Sequence, residues 1–277
     1  MKNVITRSIS GAVYVALIIL AILAGRYGIL ALTAVFALLA GIEYHQLVAA
    51  KGGRKAVTAA INTVDIVVVL LLQAASFTLT QFYLGSFFAF SVALVVFIAA
   101  RFVLALYDKR PEAFAEIGRS VLGYVYIGLP LGSLNLLGMF PEAFWFTLAM
   151  FVMIWLNDTG AFCVGSLFGR RKLFERLSPK KSWEGFWGGM LFCALAGVVF
   201  YYIADSSLPL GAWIGLGVTV SVISTWGDLF ESMMKRSLGV KDSGKLIPGH
   251  GGILDRIDSL LFVAPVTVIY LMLLLML

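Results

Sequence analysis

Residues 28–49 read GILALTAVFALLAGIEYHQLVA, a stretch in which the only acidic or basic side chains are Glu43 and His45. An α-helix needs roughly 20 apolar residues to cross about 30 Å of hydrocarbon, so this stretch predicts a membrane-spanning helix. The rest of the chain is similar, because 61% of its 277 residues are apolar and 13% are charged. A soluble domain usually carries about 25% charged residues. The composition therefore excludes a water-soluble fold.

The apolar sequence is divided by charged or turn-rich breaks, which predict an all-α, polytopic transmembrane bundle of about nine spans. We read residues 1–277 as one integral membrane domain, in which 1–140 mainly supply scaffold spans and 150–277 carry the chemistry. The predicted spans are 9–25, 28–49, 57–77, 83–106, 118–139, 143–166, 184–204, 210–234 and 253–275.

Lysine and arginine are concentrated in alternate loops between these spans. The positive-inside rule predicts that the basic loops are cytoplasmic, which places the N-terminus inside and the C-terminus outside. Of the 21 lysines and arginines, all but Arg26 then belong to the inner side. The net charge of +6 follows mainly from this topology and does not support nucleic-acid binding. We expect an integral protein of the cytoplasmic (inner) membrane.

Charged residues cluster in residues 226–261, WGDLFESMMKRSLGVKDSGKLIPGHGGILDRIDSLL. Asp228 and Glu231 are three residues apart at one helix end, and Asp255 and Asp258 repeat that spacing at the next, so each pair shares a helical face. Carboxylate oxygens suit Mg²⁺, which is normally held by one or two carboxylates together with substrate phosphates and water. The cluster predicts a magnesium and phosphate site. The alternative is an ordinary basic loop whose acids pair with neighbouring lysines and arginines.

The glycine-rich turn at 249–252 precedes a predicted helix. The backbone N–H groups at the start of a helix favour an anion, so we expect a phosphate at this helix start.

A second polar cluster occupies residues 155–185, WLNDTGAFCVGSLFGRRKLFERLSPKKSWEG. Asp158 lies near the inner end of one span, and Ser182 is a candidate N-cap of the next. Lys180 and Lys181 either contact lipid phosphates nonspecifically or bind a substrate phosphate, and their spacing leaves both open. Both clusters are predicted on the same membrane face, which favours one shared site facing the cytoplasm.

Asp65 is an isolated acid within the predicted span 57–77. An acid inside the membrane is either functional or a hydrogen-bonded structural carboxylate, and the sequence leaves both interpretations open.

Residues 232–258 contain a long spaced pattern, S-x-x-K-R-x-x-x-x-K-D, then P-G-H-G-G, then D-R-x-D. This pattern resembles the signature of the phosphatidate cytidylyltransferases. The resemblance extends through GDLFES at 227–232, SPKKSWEG at 178–185 and NDTGAF at 157–162, and so covers roughly the C-terminal 125 residues. The N-terminal half matches only in its hydropathy.

The resemblance implies that phosphatidic acid attacks the α-phosphorus of CTP, giving CDP-diacylglycerol and pyrophosphate. It implies Asp228 and Asp255 as the first metal ligands, with Asp158 and Asp258 as further ones. Lys235 and Arg256, together with Asp228 and Asp255, are the expected catalytic residues. The expected substrate-binding residues are Ser178, Lys180, Lys181, Arg236, Lys241, Asp242, Lys245 and His250.

The expected partners are CTP, phosphatidic acid and membrane lipids, with Mg²⁺ as cofactor. A second, monovalent cation and a homodimer are left open. The alternative function is a CTP-dependent kinase of a polyprenol or another lipid alcohol. A more remote alternative is an ion-coupled transporter, because acids inside the membrane also mark ion paths.

Overall fold

The computed structural model describes residues 2–48, 55–81, 83–108, 111–204, 208–244, 246 and 251–276. It divides into two compact units. The first comprises Met1–Met139 and Asp242–Asp255, and the second comprises Phe140–Lys241 and Arg256–Leu277.

The first unit is helical. Its first four helices are α1 (Lys2–Leu23), α2 (Gly25–Val48), α3 (Lys55–Thr80) and α4 (Leu84–Leu106). A further helical stretch follows as α5 (Ala113–Gly123), a π-helical segment (Tyr124–Gly128), α6 (Leu129–Leu136) and a short 3₁₀ turn (Leu137–Met139). The π-helical segment lies next to Pro130, which has no N–H to donate to the carbonyl four residues earlier, so the helix widens before it.

The described part of the second unit contains four long helices and a hairpin. It begins with α7 (Ala143–Phe168), continues through the antiparallel strands β1 (Lys172–Phe174) and β2 (Ser178–Ser182), and then forms α8 (Trp183–Ile203) and α9 (Leu210–Ser237). The final helix, α10 (Leu254–Met276), belongs to this unit from Arg256 onward. The hairpin lies in the basic loop predicted between the spans 143–166 and 184–204.

Among the described residues, eight helices are long and apolar enough to cross a membrane. They correspond to the predicted spans from 28–49 to 253–275, with ends that move by up to five residues. The predicted span 9–25 coincides with a shorter apolar helix, Ser8–Leu23. An all-α, polytopic membrane protein is therefore confirmed.

Glycines allow α7 and α8 to pack closely. A β-carbon on Gly188 would lie 2.5 Å from the Val164 side chain, and one on Gly189 would lie 2.5 Å from Asn157 Oδ1. Small residues permit such close approach of two helices inside a membrane. This packing fixes the part of α7 that carries Asp158, within the helix rather than at its end, against α8, which begins after Ser182.

A buried polar network joins four helices of the first unit through Asp65. Its carboxylate lies 3.3 Å from Arg101 Nε and accepts a hydrogen bond of 2.6 Å from Ser120 Oγ. Tyr124 also donates to it, and His45 Nε2 lies 3.5 Å away. Asp65 is thus a bonded structural carboxylate, the second of the two interpretations that the sequence left open.

Candidate functional site

The second unit contains a cavity of about 310 Å³ that is lined by both apolar and charged side chains. It is bounded by the last turns of α7, the hairpin, the start of α8 and the last turns of α9. Five residues predicted from the two sequence clusters line it: Asp158, Ser178, Lys180, Lys181 and Asp228. The fold thus brings together side chains that are up to 70 positions apart in the sequence.

The hairpin is held against the start of α8, which fixes its two lysines. Ser182 caps α8, because its hydroxyl accepts a hydrogen bond of 3.1 Å from Gly185 N, as the sequence predicted. The Glu184 carboxylate accepts hydrogen bonds from the backbone N–H groups of Arg170 and Arg171. Lys180 and Lys181 therefore project from an anchored strand rather than from an unstructured loop.

Asp228 and Lys181 form an ion pair at the cavity wall. Lys181 Nζ lies 2.5 Å from Asp228 Oδ2, and Ser232 Oγ donates to Asp228 Oδ1 over 3.3 Å. The Asp228 side chain remains 33% exposed. Its negative charge also acts on the carboxylates of Asp158 and Asp258. Asp158 and Asp228 both line the cavity, and two like charges at one cavity favour the binding of a cation there.

A seam of neutral polar side chains holds the helices that carry these acids. Ser221 Oγ on α9 donates to Asn157 Oδ1 on α7 over 2.6 Å. Ser259 Oγ on α10 donates to the Ser224 carbonyl over 3.2 Å. Asn157 precedes Asp158, and Ser259 follows Asp258, so the seam fixes the backbone beside both acids. Ser221 and Ser224 are three residues apart on one face of the apolar helix α9, and this spacing is the sequence signal for the seam.

The donor set of the cavity suits Mg²⁺. Within the described ranges, no group of three or more His, Cys, Asp or Glu side chains is arranged to hold a metal ion. Mg²⁺ does not require such a group, because one or two carboxylates together with substrate phosphates and water complete its octahedral coordination. Asp158 and Asp228, which face the same cavity, supply that minimal set.

The other predicted lysines and arginines of the second unit differ in their exposure and in their ion-pair or hydrogen-bond partners. Lys235 Nζ lies 2.5 Å from the buried Glu231 carboxylate, one helical turn away. Arg236 is exposed and donates to the Val240 carbonyl over 3.3 Å. Lys241 and Arg256 are exposed as well, and the charge of Arg256 acts on Asp158.

The start of α10 differs from the expectation that a phosphate binds there. The N–H groups of Ile253 and Leu254 donate to the Glu43 carboxylate over 2.6 and 3.0 Å. The N–H of Gly252 donates to Asp255 Oδ2 over 2.8 Å. The expectation was wrong for these groups, because two carboxylates of the protein itself already accept their hydrogen bonds. Asp242 is exposed in the same segment, whereas Lys245 and His250 lie outside the described residues.

The comparisons with known proteins agree with this chemistry. A family model described as "Cytidylyltransferase family" matches residues 5–274. A phosphatidate cytidylyltransferase of Staphylococcus saprophyticus is 34% identical over 205 residues, which are 74% of this chain and 75% of the relative. A protein of the same name from Staphylococcus aureus is 37% identical over 208 residues, again 74% and 75% of the two chains. Because the family model matches nearly the whole sequence, this chain belongs to the cytidylyltransferase family.

Proposed function

We propose that this membrane protein is a phosphatidate cytidylyltransferase that forms CDP-diacylglycerol and pyrophosphate from CTP and phosphatidic acid. The cavity of the second unit carries the proposal, because it presents two carboxylates and two lysines of the family motifs in one place. Relatives at 34–37% identity bear the name of this activity.

The reaction joins two anions. A phosphate oxygen of phosphatidic acid forms a bond to the α-phosphorus of CTP, while the bond from that phosphorus to the bridging oxygen breaks and pyrophosphate leaves with the electron pair. Such a displacement needs positioning and charge neutralisation more than a protein nucleophile. In our proposal Lys180 and Lys181 bind phosphate oxygens at the cavity and reduce the repulsion between the substrates.

Asp158 and Asp228 are the proposed holders of Mg²⁺. When bound, Mg²⁺ neutralises charge on the substrate phosphates and on the pyrophosphate leaving group. Asp255 and Asp258 keep the metal-ligand role that the family motif implies. Lys235 and Arg256 keep their predicted catalytic role. The predicted substrate-binding role is kept by Arg236, Lys241, Lys245 and His250.

The proposed topology follows the distribution of basic residues. We place the N-terminus and the cavity on the cytoplasmic side of the inner membrane and the C-terminus outside, which requires that Ser8–Leu23 act as a ninth span. This arrangement gives CTP access from the cytoplasm and phosphatidic acid access from the membrane.

The proposal is tested by the destination of two labels. Purified protein in detergent micelles receives phosphatidic acid, Mg²⁺ and CTP that is labelled on either its α- or its γ-phosphate. We expect the α-label in the lipid, the γ-label in pyrophosphate, and no product once EDTA removes the metal. A lipid-alcohol kinase would instead require a lipid alcohol as acceptor and place the γ-label in the lipid. Folded protein that forms no CDP-lipid would contradict the proposal.

A further inference from the structure

Glu43 lies near the end of α2, more than 180 residues before the family signature. It lies within residues 1–140, for which the sequence predicts mainly scaffold spans. Glu43 is 5% exposed, and it lies in the same compact unit as the segment 242–255. A buried carboxylate is costly unless hydrogen-bond donors surround it.

The signature segment supplies those donors. Glu43 Oε2 accepts the backbone N–H groups of Ile253 and Leu254, and Glu43 Oε1 accepts Ser243 Oγ over 2.8 Å. The two N–H groups open α10, where the helix dipole favours a negative charge. Glu43 thus joins both ends of the segment from Ser243 to Leu254.

Two glycines of the signature allow this arrangement. A β-carbon on Gly244 or Gly252 would overlap with the Glu43 carboxylate. The backbone at Gly244 and Gly252 therefore lies against a single acid, and a side chain at either position would displace it.

Ser243 links Glu43 to Asp255. The Ser243 hydroxyl donates to Glu43 and accepts from Asp255 N over 3.3 Å, while Ser243 N donates to Asp255 Oδ2 over 3.0 Å. The Asp255 carboxylate is therefore oriented by the same residues that Glu43 holds.

We propose that Glu43 is a positioning residue for the reaction: it holds Ser243 and the start of α10 in the arrangement that orients Asp255. The inference rests on the proposed function, and it gives the N-terminal half an indirect part in catalysis. Glu43 acts through Ser243 and the start of α10 rather than by contact with a substrate.

The test compares Glu43→Gln with Glu116→Gln. Glu116 is also a buried glutamate of the first unit, and its carboxylate forms an ion pair with Arg119 on its own helix. Glu43→Gln removes the charge that the two N–H groups of α10 face, so we expect kcat to fall at least tenfold. Hydrogen exchange of the amides of residues 252–255 should quicken at least tenfold, while Glu116→Gln leaves kcat and these amides within twofold of the unmodified protein.

Hydrogen exchange distinguishes a failure of the proposed function from a failure of the positioning role of Glu43. If the unmodified protein forms no CDP-diacylglycerol, the proposed function fails, and the exchange rates still report whether Glu43 holds the segment. If Glu43→Gln does not fold, Ser243→Ala replaces it, with kcat expected to fall about threefold and the Asp255 amide to exchange faster. Unchanged kcat, or unchanged exchange at residues 252–255, in the folded variant would overturn the inference.

Discussion

Asp65 in the first unit and Asp228 in the second are both acids on apolar helices, yet their surroundings differ. The Asp65 side chain is 1% exposed and is surrounded by Arg101, Ser120, Tyr124 and His45. The Asp228 side chain is 33% exposed and faces a cavity beside Lys181. An acid whose hydrogen bonds and ion pairs are all formed within the buried protein has a structural role, whereas a partly exposed acid that faces a cavity is available to a ligand.

The largest expected effect is on stability, in Asp65→Asn. Removing one partner of a buried ion pair leaves the other charge uncompensated, and this typically costs about 3–5 kcal/mol of unfolding free energy. We expect a marked fall in the melting temperature in detergent. Adding Arg101→Met should recover part of the loss, and a melting temperature that is insensitive to Asp65→Asn would contradict the structural role.

Asp228→Asn should lower turnover strongly while it leaves stability almost unchanged. The pair with Lys181 is partly exposed and worth about 0–1 kcal/mol, so the melting temperature should change little. Loss of an electrostatic group that faces the reacting phosphates typically lowers turnover roughly 10²–10³-fold. CDP-diacylglycerol formation per folded protein is the measurement, and near-normal turnover would remove Asp228 from the proposed metal site.

Lys181→Met tests whether a positive charge at the cavity wall matters more than a positive charge elsewhere on the hairpin. We expect catalytic efficiency to fall about tenfold, because the variant keeps the apolar stem but loses a charge at the cavity wall. Lys172→Met is the matched control, since Lys172 is exposed on the same hairpin and does not line the cavity. Equal losses in the two variants would show that the hairpin acts only through its overall charge.

The smallest effect is expected for Ser221→Ala, which breaks the hydrogen bond to Asn157. One such bond contributes about 1 kcal/mol, so turnover should fall a few fold as Asp158 loses part of its support. Thr219→Ala is the control, because the Thr219 hydroxyl donates to the Gly215 carbonyl of its own helix. Initial rates are measured for both variants at saturating CTP and phosphatidic acid. Equal rates in the two variants would contradict a role of the seam in supporting Asp158.

Much of the fold follows from the sequence, because each span is fixed by the length of its apolar run. The residues that line the cavity were also predictable, since Asp158, Lys181 and Asp228 lie in motifs with distinctive spacing. The role of Glu43 was not, because its partners Ser243 and Ile253 are some 200 positions away and only the tertiary fold brings them to it. Asp65 was undecided for the same reason, as its partners lie on three other helices.

Thiol labelling tests whether the cavity of the second unit binds the substrate phosphates. Ser178→Cys places a thiol at the cavity and Lys172→Cys places one outside it, each combined with Cys163→Ala to remove the exposed native thiol. We predict that CTP with Mg²⁺, or phosphatidic acid, slows labelling at 178 at least tenfold and leaves labelling at 172 unchanged. Labelling at 178 that neither substrate slows would contradict the claim.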